Sequence, residues 1–208
     1  MTQQPVTAAL TGGVELLERA IGYTRGSLLL ITPDALTRPT PCHRWDLTTL
    51  LAHMEDSLDA LCEAADAGRV ELDDGRRRLC ADNESLLDVC ARLRARAIRL
   101  LNWSATVLGD DTISVADQSL TARIVTATGA LEIAVHGWDV AQACGTDRPM
   151  PTEFAEQMLS LAPLLVTEAD RPARFAAPLN MPESATPHDH LLAFLGRRPD
   201  AGTGIPRT

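Results

Sequence analysis

Apolar side chains return every three or four positions along four long stretches of this chain, a period that predicts helices rather than strands. The first stretch runs from about Val14 to Ile31, with Val14, Leu17, Ile21 and Leu28 on one stripe; Pro33 and Pro39 end it. Asp46 is placed to cap the second, whose stripe is Leu47, Leu50, Leu51, Met54, Leu58 and Leu61. The third spans roughly Glu84 to Val107 and turns Leu86, Cys90, Leu93, Ala97 and Leu101 inward. Its other face carries Arg92, Arg96 and Arg99, expected to be solvated. The fourth runs from near Thr121 to Cys144, sets Ile124, Leu131, Val135 and Trp138 on one side, and stops at Gly145.

Between these stretches the pattern weakens. Gly68 to Asp82 reads as a charged loop, and the polar segment Gly109 to Ser119 has room for a short extended piece. Thr152 is placed to cap a fifth helix reaching about Thr167. Beyond Pro172 the tail holds one apolar run, Leu191 to Leu195, beside His188 and His190, which read as surface positions. No internal repeat or interdomain linker interrupts the chain. The expected fold is all-α: a four-helix bundle over residues 1–150, with residues 151–208 as a short helical or irregular C-terminal extension packed on it in the same domain.

Composition agrees. The 208 residues are 45% hydrophobic but only 3% aromatic, so the core must come from Leu, Ala, Val and Ile, which suits packed helices. The net charge of −9 repels phosphate backbones and argues against nucleic-acid binding; the basic cluster Arg76 to Arg78 reads as the border of a solvated loop. Five cysteines at wide spacing, without a C-x-x-C pair, indicate neither a disulfide framework nor a structural zinc site. No apolar run is long enough to cross a bilayer, and the N-terminus lacks the pattern of an export signal, so a cytoplasmic location is expected. The broad apolar faces of the first and third helices are compatible with a homodimer.

The most informative chemistry is Glu132 and His136, four residues apart in A-L-E-I-A-V-H-G-W-D-V-A-Q-A-C-G, with His53 upstream in L-L-A-H-M. A spacing of four places two side chains on one helix face, about 6 Å apart along the axis. Two imidazoles and one carboxylate suit a divalent metal with a position left open. The same spacing also describes a weak exposed Glu–His pair, and a single His beside a Leu run is ordinarily a half-buried residue.

The longer segment P-T-P-C-H-R-W-D-L-T-T-L-L-A-H-M, from Pro39 to Met54, resembles the signature P-C-x-x-W-D-[VL]-x-x-L-L-x-H of the mycothiol-dependent maleylpyruvate isomerase N-terminal family. The run Glu132 to Gly145 is similar to that family's E-x-x-x-H-x-W-D-[LV]-A-x-A-x-G. L-L-A-F-L-G-R-R-P, from Leu191 to Pro199, is similar to the ending of its short, single-domain branch. The resemblance implies a DinB-like metal-binding four-helix bundle in which His53, Glu132 and His136 are the metal ligands. Zinc is the first candidate, with nickel or another divalent ion as alternatives, and mycothiol is the implied thiol cofactor.

Other residues admit two readings. Asp139, three positions after His136, can orient that imidazole or pair with an arginine. Cys42 precedes a helix N-terminus, where a thiol gains reactivity, yet the plain reading is a small buried loop residue. His43 reads first as an exposed loop residue, with a fourth metal ligand or a substrate-facing acid or base as the alternatives, and Trp45 and Trp138 read as packing residues. The function these signals imply is a metal- and thiol-dependent isomerase or S-transferase acting on a small electrophile. The alternatives are a thiol-free metal enzyme of secondary metabolism, by hydrolysis, cyclisation or isomerisation, and a non-catalytic metal- or ligand-binding module.

Overall fold

Each predicted apolar stretch forms a helix. The structure, a computed structural model, describes residues 13–42, 45–67, 69–70, 86–106, 112–115, 118–171 and 174–199. Helices α1 (Gly13–Leu28), α2 (Leu47–Ala67), α3 (Leu86–Thr106) and α4 (Ala122–Ala143) make an all-α bundle. Helices α5 (Thr152–Leu165) and α6 (Pro187–Phe194) follow. Between the bundle helices, β1 (Arg69–Val70), β2 (Thr112–Val115) and β3 (Gln118–Thr121) form a small sheet in that order, β1 parallel to β2 and β2 antiparallel to β3. The extended piece expected in the polar segment before α4 is therefore present. The cluster Arg76 to Arg78 and most of the loop Gly68 to Asp82 lie outside the described residues.

Helix α4 is the centre of the fold. It is buried on nearly every side, so its apolar set is wider than the single stripe expected from Ile124, Leu131, Val135 and Trp138. A helix with no polar face is covered by neighbours all round, and any ionisable group on it must find partners there. Helix α1 makes the closest approach. Thr24 on α1 donates its hydroxyl to the Ile133 carbonyl at 2.6 Å. A Cβ built on Gly137 would overlap the Thr24 hydroxyl and lie 2.9 Å from its Cβ and 3.0 Å from its Cα. Glycine lets the two backbones touch one residue from His136.

Helices α2 and α3 are joined differently. Glu55, only 2% exposed, accepts from Arg92 Nε at 2.8 Å and from Arg96 Nη1 at 3.3 Å, while Arg96 also clasps Asp59 and Arg99 pairs with Asp66. The arginine face of α3 is thus an ion-pair ladder against α2 rather than a free solvated surface. Asp46 caps α2 as expected, accepting from the Thr49 amide at 2.8 Å.

Helix α4 ends at Gly145 (φ 73°), with Thr146 N donating to Ala141 O and Gly145 N to Gln142 O, the paired bonds of a Schellman stop. Helix α5 starts without a side-chain cap from Thr152; Pro151 holds the cap position. The tail is more ordered than its proline content suggests. Thr186 and Asp189 form a reciprocal capping box that starts α6, and α6 packs on α5. His188, expected at the surface, is buried, and its Nδ1 accepts from the Met150 amide at 3.3 Å. The apolar second half of α6 draws it in: Leu191, Leu192 and Ala193 are all buried.

Two stability experiments follow from this packing. Gly137→Ala should lower unfolding free energy by about 3 kcal/mol, because Thr24 backbone must move to admit the methyl group; an unchanged urea midpoint would mean that the helices do not touch there. Burial holds the His188 pKa below its ordinary 6.5. As pH falls below that value the unfolded chain takes up a proton that folded His188 refuses, so stability declines. His188→Asn keeps an acceptor for Met150 N and cannot titrate; its urea midpoint should fall less than that of the parent between pH 7 and pH 5.

Candidate functional site

Helix α2 brings His53 to the seam with α4, where Glu132 and His136 sit one turn apart. Their potential ligand atoms all lie within 4.8 Å of one another. Glu132 Oε2 is 3.1 Å from His136 Nε2 and 3.9 Å from His53 Nε2. The imidazoles meet edge to face, with centroids 5.0 Å apart, and Trp45 packs on the outer side of His53 at 4.6 Å. The three residues singled out from spacing are therefore brought together, half-buried at His53 and Glu132 and buried at His136. Ser57, one turn after His53, sets its hydroxyl 3.4 Å from His53 Nε2.

The far nitrogen of His136 faces a second cluster. Nδ1 lies 2.9 Å from Asp139 Oδ2, and Asp139 is fully buried. Arg197 donates to the same carboxylate from Nε (2.9 Å to Oδ1) and from Nη2 (2.8 Å to Oδ2), a two-pronged charge-assisted pair. Arg197 arrives there because α6 ends in a second Schellman stop. Gly196 adopts φ 75°, Arg197 N donates to Leu192 O, and the chain doubles back with the guanidinium aimed at α4. Cys42 completes the cluster: its thiol donates to Asp139 Oδ2 at 3.3 Å and accepts from Arg197 Nη2 at 3.2 Å. The loop bearing Cys42 is closed by Thr40, whose amide donates to Trp45 O at 2.9 Å and whose hydroxyl reaches Cys42 O at 3.2 Å.

Asp139 thus does both things proposed for it: it orients His136 and pairs with an arginine. Cys42 is not an inert loop residue but a member of this polar cluster. Arg197, within the G-R-R-P run, is a member of the site that the sequence motifs do not single out. The available signal was a helix-ending glycine immediately before an arginine in an apolar run, which turns the following side chain inward. His43 lies outside the described residues.

The charges are arranged to attract a cation at the Nε2 face. Burial raises the Glu132 pKa, but the charged His136 imidazole paired with it, then His53 and Arg197, outweigh it and bring it down to about 2. His53 is pushed down to about 4 by burial and then by the neighbouring His136, so at neutral pH its imidazole is neutral with a free lone pair. Burial lowers His136, yet its contacts with Asp139, Cys42 and the Glu132 carboxylate hold it well above 6.5. Asp139 is held well below the carboxylate range, burial being overcome by Arg197 and His136. A place that retains a proton this strongly is one where positive charge is favoured, and a metal ion competes with that proton.

The donor set fits such an ion. Glu132 Oε2 is buried and receives no hydrogen bond of good geometry among the described residues, despite the nearby His136 Nε2. A buried carboxylate oxygen held by an ion pair without hydrogen-bond alignment keeps acceptor capacity toward the two imidazole nitrogens, which a cation in place of the His136 proton would use. Cys42, Asp139 and the other nitrogen of His136 also lie within ligand distance of one another. That second group already contains the Arg197 guanidinium, so its negative charge is compensated and another cation would be repelled.

No protein-family model matches the chain. An uncharacterised protein of Mycobacterium tuberculosis, found in strains H37Rv and CDC 1551, is 25% identical over 182 residues, covering 86% of this chain and 94% of its own length. Among solved structures, a mutant of the mycothiol-dependent maleylpyruvate isomerase superimposes with a TM-score of 0.59 at 14% identity, over 85% of this chain and 78% of that one. The chain shares the helical fold of that isomerase. No helix among the described residues is long and apolar enough to cross a membrane.

The Asp139 contacts yield a direct test. Asp139→Asn keeps the shape of the side chain but removes the charge that fixes His136 and neutralises Arg197. Zinc affinity, read by competition with a chromophoric chelator, should fall by about 10- to 100-fold, the usual effect of losing the partner that orients a ligand histidine. Unchanged affinity would show that Asp139 does not set the imidazole.

Proposed function

We propose that this protein is a divalent-metal-dependent enzyme that uses a low-molecular-weight thiol, mycothiol, on a small electrophilic substrate, as an isomerase or S-transferase. The observation that carries the metal half is the convergence of Glu132 Oε2, His53 Nε2 and His136 Nε2 within 4.8 Å of one another, with no aligned hydrogen bond to the Glu132 oxygen. The shared fold with a mycothiol-dependent isomerase supports the thiol half. His53, Glu132 and His136 would hold the ion, zinc first and nickel or another divalent ion otherwise. When bound, such an ion supplies a Lewis acid that favours the deprotonated form of a thiol at neutral pH.

The chain's own residues do the rest. Asp139 keeps His136 turned so that Nε2 faces the site, and Arg197 keeps Asp139 ionised. The small cavity beside Glu132 and His136 is walled mainly by Met54, Leu58, Leu61 and Ile133, which keep water away from a nucleophilic sulfur. Ser57 sets a hydroxyl in that wall that can donate to an oxygen of the substrate. Such a thiol would supply a nucleophile able to add reversibly to a conjugated double bond, which would permit cis–trans isomerisation, or, with protonation of the resulting enolate, would leave a thioether as the product of a transferase.

Metal analysis and thiol turnover test the two halves separately. Protein purified without added metal should hold close to one divalent ion per chain, and His53→Ala should empty the site while leaving the fold intact. Full metal content in that variant would refute the ligand assignment. Mycothiol with a conjugated cis-enone acid should give either trans product or thiol loss in the parent and neither in His53→Ala. A metal-loaded parent that leaves both thiol and enone untouched would overturn the thiol half in favour of a thiol-free enzyme or a binding module.

A further inference from the structure

A larger cavity, of about 150 Å³, lies between α1, α2 and α3 on the other side of Met54, Leu58 and Ile133, which it shares with the wall of the candidate site. Its interior is apolar, formed by Ile21, Leu28, Leu93, Ala97 and Ile98. An apolar cavity of this volume accommodates a benzene ring. Two cations, Arg25 on α1 and Arg94 on α3, also line it. Both are exposed, and neither forms an ion pair among the described residues. The contrast with Arg92, Arg96 and Arg99 on the same helix, each matched to an acid on α2, sets Arg94 apart.

We propose that this cavity is a binding site for a small amphipathic organic acid, its apolar body between α1 and α3 and its carboxylate between Arg25 and Arg94. The apolar walls reward burial of a ring or short alkyl chain, and two unpaired guanidiniums favour an anion over its neutral counterpart. Met54 is the pliable part of the partition with the candidate metal centre, an unbranched side chain that can shift to connect the two spaces. That the acid is the electrophilic substrate rests on the function proposed above; that it binds in this cavity does not.

The test therefore uses chelator-treated protein, so that no carboxylate can be held by a metal. Phenylacetate and its neutral analogue phenylacetamide are titrated by heteronuclear NMR. Phenylacetate should perturb Ala97 and Ile98 and bind about fivefold more tightly than the amide, the effect expected of two exposed charge pairs. Arg25→Ala combined with Arg94→Ala, both surface changes, should abolish that preference and leave amide binding unchanged. Ala97→Phe, which fills the cavity, should weaken both ligands at least about tenfold. Shifts confined to other regions, or no saturable shifts, would overturn the site; equal affinity for acid and amide would overturn the anionic class. Because the metal is absent throughout, a failure of the metal assignment leaves these outcomes unchanged.

Discussion

The carboxylate of Asp139 is the group on which the rest of this structure depends. It is fully buried on a helix covered on nearly every side, a position where an unpaired charge would cost several kcal/mol. Three neighbours remove that cost: the His136 imidazole, the Arg197 guanidinium and the Cys42 thiol. Each comes from a different part of the chain, so one ionised group fastens the loop before α2, the middle of α4 and the segment after α6. Breaking the pair from either end leaves a buried charge without its partner, a loss of about 3–5 kcal/mol.

This anchoring divides His136 into two faces with different tasks. On the Nδ1 side, charge is already balanced by Arg197. On the Nε2 side, Glu132 and His53 present an ionised oxygen and a neutral nitrogen with nothing positive among them except a proton on His136. The imbalance between the faces, more than the number of candidate ligands on each, favours the Nε2 side for a metal. The same helix then offers Ile133 and α2 offers Met54 and Leu58 as a thin apolar wall, beyond which lies the larger cavity with its two arginines.

Much of this was legible in the sequence because helices repeat on a short period. The stripe Leu47, Leu50, Leu51, Met54 and Leu58 located α2 and put His53 at its edge, and a spacing of four sufficed to align Glu132 with His136. What escaped was long-range pairing. Nothing local tells that Arg92 and Arg96 meet Glu55 across a helix interface, or that Arg197 crosses 58 positions to reach Asp139. Cys42 looked inert for the same reason, since its partners are 97 and 155 positions away. His188 was misjudged because prolines around it suggested an unstructured tail, whereas Thr186 and Asp189 start a helix that carries it inward.

Anomalous diffraction from crystals soaked in zinc would distinguish the two faces of His136 most directly. The expected result is a single strong peak among His53 Nε2, Glu132 Oε2 and His136 Nε2, with Arg197 still on Asp139. A peak among Cys42 Sγ, Asp139 and His136 Nδ1, with Arg197 displaced, would contradict it.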